Sequence, residues 1–79
     1  MTIDQLRDAY NRQPFRPFTL HLADGRSIHV PSREMLASAP NGRTIVVYVD
    51  EDRINIIDLL LVTDLEIQLS DTRSKSKRK

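Results

Sequence analysis

The stretch RPFTLHLADGRSIHV, residues 16–30, decides the fold of this chain. Phe18, Leu20 and Leu22 alternate with polar or small residues, and the alternation resumes after Asp24-Gly25. A period of two predicts β-strands, and an Asp-Gly pair between two such runs is a strong hairpin signal. The stretch therefore predicts an antiparallel β-hairpin.

The length of the hairpin loop determines which residues face each other. A two-residue loop would place Leu20 opposite His29 and mix apolar and polar side chains on each face. A three-residue loop, Ala23-Asp24-Gly25, makes one face wholly apolar. The glycine then takes the left-handed position of the turn, where it carries no steric penalty. We therefore predict that Phe18 pairs with Val30 and Leu20 with Ile28.

The same register leaves two histidines, His21 and His29, near each other on the polar face of the hairpin. A zinc site needs three or four ligands, and Asp24 in the turn is a poor third. A general base needs a partner held in place, and the sequence indicates none. We therefore expect solvent-facing histidines, with no catalytic residues, no cofactor and no metal.

An amphipathic helix is expected at the N-terminus. Thr2 followed by Gln5 fits a capping box, in which each residue bonds the other's backbone amide. Apolar residues then recur at helical spacing from Ile3, until Pro14 ends the pattern. The predicted helix covers residues 3–12, and because it is marginal alone, its apolar stripe must dock on the rest of the fold.

Three further strands are expected after Pro31, which ends the hairpin. The run TIVVYV is β-branched and apolar on both faces, which indicates a central strand or one covered on both sides. A charged turn at residues 50–52 precedes the next expected strand, and a bend at residues 58–61 precedes the last one. The expected strands cover residues 44–49, 53–57 and 62–69, the last with Leu65, Ile67 and Leu69 inward.

Residues 32–38 join the hairpin to the later strands, and their pattern permits one helical turn. Ser32 would cap that turn, and Met35 and Leu36 would face inward. No regular strand is expected there.

Three other features have structural interpretations. Asp58 lies in an apolar run, so we expect it to be buried with a partner, either capping the bend or pairing with Arg16. Phe15 and Phe18 are expected to plug the space between helix and sheet. Arg12 and Arg16 bracket the first of these rings and would lie over an aromatic ring or bind an anion.

These elements describe a mainly β (α+β) fold. An N-terminal helix and five short strands without crossover helices indicate a strongly bent antiparallel sheet or a small SH3- or Sm-like barrel. Closure would also remove exposed sheet edges. Residues 1–70 are interpreted as a single small β-barrel domain.

Composition limits the possible functions of the protein. The 79 residues include no cysteine, which excludes disulfides, thiolate metal sites and a cysteine nucleophile. The longest apolar run, 59–62, is too short to span a membrane, and the N-terminus lacks the pattern of a signal peptide. We expect a cytoplasmic protein that does not bind membranes. Because so short a chain buries a modest core, we expect self-association to add stability, as it does in many small domains.

A net charge of +1 hides an uneven distribution. Residues 71–79 carry five basic residues and one acidic residue, which leaves seven basic and ten acidic residues of the 12 and 11 in the chain. The body is thus about −3 and the tail +4, and the body does not suit nucleic acid. The tail is expected to be disordered, and it is either a solubilising segment or a non-specific phosphate-binding one. Its candidate nucleic-acid-binding residues are Arg73, Lys75, Lys77, Arg78 and Lys79.

The order of elements resembles that of Sm-like and SH3-like small barrels over roughly residues 3–69. It comprises a helix, a strand ending in LADGR, a second strand, the TIVVYV hairpin and the closing IIDLLLVTDLEI. The RNA-binding residues of the Sm family are not matched, because Val30 stands where its second strand has glycine and Ile57-Asp58 where its last motif stands. The resemblance implies the fold and no RNA pocket.

The phrases QPFRPFTLHLADGRSIHVP, GRTIVVYVDED and IIDLLLVTDLEI also resemble a family of small uncharacterised bacterial proteins, over about residues 1–69. That resemblance implies a shared architecture and no known activity. Because no set of reacting groups can be assembled, we expect a non-enzymatic interaction module that associates with itself or with a protein partner. The alternative is a protein that associates with RNA or DNA through its basic tail.

Overall fold

The computed structural model describes residues 1–69, which form one helix and two three-stranded antiparallel sheets. The first sheet has the strand order β2-β1-β6 and the second the order β3-β4-β5. The elements are α1 (Ile3–Tyr10), β1 (Phe18–Leu22), β2 (Ser27–Val30), β3 (Leu36–Ser38), β4 (Thr44–Tyr48), β5 (Ile54–Asp58) and β6 (Val62–Ile67).

The mainly β fold with an N-terminal helix is confirmed, but two finer expectations are wrong. Residues 1–69 contain six strands rather than five, and their two sheets do not close into a barrel. In the same range, no helix combines the length and apolar character needed to cross a membrane. The basic residues of the predicted tail lie outside the described residues.

The hairpin at residues 18–30 has the predicted register. Phe18 pairs with Val30 and Leu20 with Ile28, and all four side chains are buried. Gly25 has a φ of 95°, a conformation that side-chain-bearing residues rarely adopt. The three-residue corner therefore brings the apolar faces of both strands to the same side.

The core lies between the inner faces of the two sheets. From the first sheet, Phe18 and Leu20 are almost wholly buried; from the second, Ile45 and Val47 are inaccessible to solvent. The helix contributes Leu6, which is also buried. Each sheet is thus apolar on the side that faces the other, as the alternation of β1 and β4 requires.

The N-terminal helix begins as predicted and ends two residues earlier. Both hydrogen bonds of the capping box form, from the Gln5 amide to the Thr2 hydroxyl and from the Thr2 amide to the Gln5 side chain. At the other end, the Arg33 guanidinium donates a hydrogen bond of 2.8 Å to the Tyr10 carbonyl. That bond to another part of the chain satisfies a carbonyl that the helix leaves open.

The segment after the hairpin differs from its predicted form. Residues 33–35 form a single 3₁₀ turn, but the Ser32 side chain makes no capping bond and Met35 is exposed. Leu36 is buried as expected, and it begins the unpredicted strand β3. So short a strand has too few residues for its period to be distinguished from that of a helical turn.

Asp58 caps the bend, as one of its two predicted roles required, but it is not buried. Its carboxylate accepts the Leu60 amide at 2.9 Å, at the start of a second 3₁₀ turn at residues 59–61. Leu69 is also exposed, contrary to its predicted inward position, because it lies beyond the end of β6.

Arg33 links the α1–β1 connection to the segment that follows the hairpin. Besides Tyr10, it bonds the Arg12 carbonyl at 2.9 Å, and its guanidinium lies 5.2 Å from the centre of the Phe15 ring. That ring is in turn 5.8 Å from the ring of Phe18 and packs, partly buried, against the core. Arg33, which the sequence did not single out, therefore lies over the Phe15 ring.

We expect Arg33→Met to lower the free energy of unfolding by about 1–2 kcal/mol, because it keeps the aliphatic stem and leaves two backbone carbonyls without their donor. Urea denaturation followed by circular dichroism measures the change. Arg7→Met is the control, because Arg7 is exposed and its contact with Asp4 is 3.9 Å long; we expect a change within about 0.5 kcal/mol. Equal effects of the two substitutions would contradict the role given to Arg33.

Candidate interaction surface

The outer face of the β3-β4-β5 sheet carries exposed apolar side chains. Strand pairing places Ala37, Val46 and Ile56 in one row and Tyr48 and Ile54 in the next. Ile56 is 69% exposed, Ile54 52% and Tyr48 46%. TIVVYV is thus a central strand, as predicted, but it is not covered on both sides. We call the surface formed by these five residues the outer apolar face.

A shallow depression adjoins the outer apolar face at the β3–β4 side. Its volume is about 560 Å³, and its lining includes Met35, Ala37 and Tyr48. Three acidic residues, Glu34, Asp50 and Glu51, also line it. The apolar face is therefore bounded by acidic residues at the end where the β4–β5 turn lies.

The strand β5 forms an edge of its sheet, and its backbone pattern shows which groups face outward. The Val49 amide bonds the Arg53 carbonyl at 3.0 Å, and the Leu59 amide bonds the Arg43 carbonyl at 2.7 Å. Backbone groups alternate in direction along an antiparallel strand, so the odd-numbered residues of β5 bond β4. The amides and carbonyls of Ile54, Ile56 and Asp58 therefore point away from the sheet.

The other sheet edges in residues 1–69 are shorter, more polar or flanked. The β3 edge has three residues, and β2 presents Ser27 and His29 on its outer face. The edge strand β6 carries Asp64 and Glu66 and lies beside the N-terminus, where the Met1 amino group bonds two backbone carbonyls. Charges and covering elements protect sheet edges from pairing. Within residues 1–69, β5 has Ile54 and Ile56 exposed, and no strand pairs with its outer side.

Two acidic side chains in the turns have lowered pKa values. A backbone hydrogen bond from Arg26 is the main cause for Asp24, in the hairpin corner. For Asp50, the main cause is the side-chain hydrogen bond from Arg53, whose guanidinium lies 2.7 Å away. The Asp50 carboxylate also accepts a hydrogen bond from the Asp52 amide. It therefore stabilises the β4–β5 turn, which leads into β5.

Both histidines lie on the polar face of the first sheet, as predicted. His21 accepts or donates a bond at 3.1 Å to Ser27, and its other ring nitrogen lies 2.8 Å from the Glu66 carboxylate. His29 bonds the hydroxyl of Thr19 at 3.2 Å. The two rings therefore have separate polar partners, and among residues 1–69 no three or more His, Cys, Asp or Glu side chains are grouped so that they could hold a metal ion.

The partners of His21 were not among the residues predicted from the sequence. Ser27 was foreseeable, because the predicted register places it directly opposite His21. Glu66 was not, because β6 pairs with β1 across more than forty intervening residues. Ser27, His21 and Glu66 form a continuous hydrogen-bonded chain of the residue types used in acyl transfer. All three lie on an open strand surface, where the chain links neighbouring strands.

The predicted tail residues Arg73, Lys75, Lys77, Arg78 and Lys79 lie outside the part of the chain that the structure describes. Comparison of the whole chain with protein-family models, with curated proteins and with solved structures finds no match. The resemblances noted in the sequence therefore stay predictions, and the surface has to be interpreted from its own chemistry.

We expect the Asp50–Arg53 pair to stabilise the fold less at low pH. Because the folded-state pKa of Asp50 lies below its ordinary value of 3.8, its contribution is present above that value and is lost as pH falls through the folded pKa. The urea concentration at the unfolding midpoint should therefore decrease less between pH 7 and about pH 2.5 in Asp50→Asn than in the wild type. Asp52→Asn, which removes the same charge from the same turn, should keep the wild-type slope, and a steeper slope in Asp50→Asn would contradict the assignment.

Proposed function

We propose that this protein is a non-enzymatic interaction module that associates with a second copy of itself through β5 and the outer apolar face. The observation that carries the proposal is the exposure of Ile54 and Ile56, at 52% and 69%, on a strand that also forms a sheet edge. Removing exposed isoleucine side chains from water at a contact lowers the free energy of the complex.

The chemistry of the surface supports a second copy as the partner. Its exposed side chains are few, whereas a standard stable interface buries ~800 Å² per partner, so a contact here is small. The edge of β5 adds backbone groups to that contact. An uncharged apolar patch is complementary to itself, as a two-fold interface requires. We therefore expect a dimer with a dissociation constant in the micromolar range or weaker.

The polar side of the first sheet supports a non-enzymatic role. The Ser27–His21–Glu66 chain is built across three adjacent strands, and its glutamate is 70% exposed. Stabilising an acyl-transfer transition state requires a site that excludes water around fixed hydrogen-bond donors. An open sheet surface lacks that shelter, so we assign the chain to strand pairing.

Sedimentation velocity over about 5–500 µM tests the proposal. We expect the wild-type chain to show a concentration-dependent increase in sedimentation coefficient, and Ile56→Lys to remain monomeric, because a lysine at the contact places unpaired charge against apolar side chains. Leu69→Lys is the matched control, because Leu69 is 61% exposed but lies beyond the first sheet.

Two results would contradict the proposed self-association. One is a wild-type chain that sediments as a monomer at every concentration. The other is an Ile56→Lys variant that associates as strongly as wild type and as Leu69→Lys, because the association would then use another surface.

A second candidate function follows from the separation of charge along the chain. Five cations in the last seven residues against an acidic body favour phosphate contact through the tail alone. We expect weak, salt-sensitive binding of mixed RNA or DNA that disappears when residues 71–79 are deleted. Fluorescence anisotropy at about 50 and 200 mM salt measures it, and binding that survives the deletion would show that the tail is not the contact.

A further inference from the structure

We infer that the second copy adds to the β5 edge as an antiparallel strand, with Ile56 facing Ile56 of the other copy across a two-fold axis. The two β3-β4-β5 sheets then form one continuous sheet of six strands. The inference rests on the proposed self-association, and it specifies how the two copies meet.

Some backbone groups of β5 point away from the sheet. The bonds of Val49 to Arg53 and of Leu59 to Arg43 place the odd-numbered residues of β5 toward β4. Ile54, Ile56 and Asp58 therefore offer their amides and carbonyls to a neighbour, and no strand in residues 1–69 pairs with that side of β5. A second β5 in antiparallel orientation offers the same groups in return.

The outward-pointing groups limit the register between the two copies. Only pairings between even-numbered residues bond outward-pointing groups to each other and keep the apolar side chains on one face. With Ile56 opposite its own copy, Ile54 pairs with Asp58, and the outward groups of all these residues are used. This register therefore pairs the whole open edge of β5 in both copies.

The neighbouring registers are less favourable. A shift in one direction pairs Ile54 with Ile56 but sets Asp58 opposite Asp52, so that two carboxylates face each other. A shift in the other direction sets Ile54 opposite Leu60, which belongs to the 3₁₀ turn and not to the strand. Each alternative loses either charge compatibility or strand pairing, which leaves Ile56 at the axis.

Apolar side chains also lie beside the two-fold axis. Val46 lies next to Ile56 within each copy. Across the axis the row becomes valine, isoleucine, isoleucine, valine, and apolar cross-strand pairs of this kind stabilise sheets. Asp58 meets Ile54 at the rim of the contact, where its carboxylate is already held by the Leu60 amide. The contact therefore has an apolar centre and polar ends.

Disulfide trapping tests the register directly, because the chain contains no cysteine that could give a background. In the inferred register, Ile56→Cys places two cysteines in a directly opposed pair with Cα atoms about 5.5 Å apart, within disulfide reach. Ile54→Cys is the matched control, because its copies lie four residues out of register, about 13 Å apart. We expect mild oxidation to cross-link Ile56→Cys within minutes and to leave Ile54→Cys largely monomeric on a non-reducing gel.

A proline variant tests the use of the backbone edge. The Ile56 amide points away from β4, so Ile56→Pro removes the intermolecular donor without removing a bond to β4. Ile56→Ala is the control for the lost side chain. We expect Ile56→Pro to weaken dimerisation at least tenfold more than Ile56→Ala in sedimentation experiments, with circular dichroism confirming that both variants are folded.

The outcomes separate this inference from the proposed function. A wild-type chain that never dimerises overturns both. A dimer in which Ile56→Cys fails to cross-link, or in which Ile54→Cys cross-links as fast, overturns the inferred edge pairing and leaves self-association standing. Two outer faces stacked on each other would instead make Ile56→Pro and Ile56→Ala equally damaging.

Discussion

The three-residue corner at Ala23-Asp24-Gly25 is the constraint on which the rest of the structure depends. It sets the pairing of β1 with β2, so that their apolar side chains share one face. A slip of one residue would turn every side chain of a strand to the other face. β6 pairs along the other side of β1, and the second sheet packs against the apolar face of the first. Phe18 is therefore buried between the two sheets.

The second sheet has more apolar residues than its inner face can bury. Ile45 and Val47 fill the core, while Tyr48 and the alternate residues of β5 remain on the outside. Surplus apolar surface on a strand with an open edge is costly in water and prone to pairing. For this reason we propose the outer apolar face and the β5 edge as the contact surface among the described residues.

Sequence patterns predicted the parts of the fold that depend on neighbours along the chain. The capping box of Thr2 and Gln5 and the hairpin register involve residues a few positions apart or one tight turn, and both are confirmed. The Asp58 cap, one of two alternatives for that residue, is equally local and is present, although Asp58 is exposed. The errors concern β3, the number of strands and closure of the barrel. The surface exposure of Ile54 and Ile56 was also missed, because alternation shows that two faces differ and not which one is covered.

The sequence by itself determined the period of each strand, the turn that β1 and β2 share and the histidines on the polar side, because steric and hydrophobic preferences act between adjacent residues and across a single corner. Only the tertiary structure decided that β6 brings Glu66 to His21, that Arg33 reaches the end of the helix, and that β5 is an edge. These contacts join residues that are distant along the chain, and their geometry is set when the two sheets and the helix pack together to remove apolar surface from water.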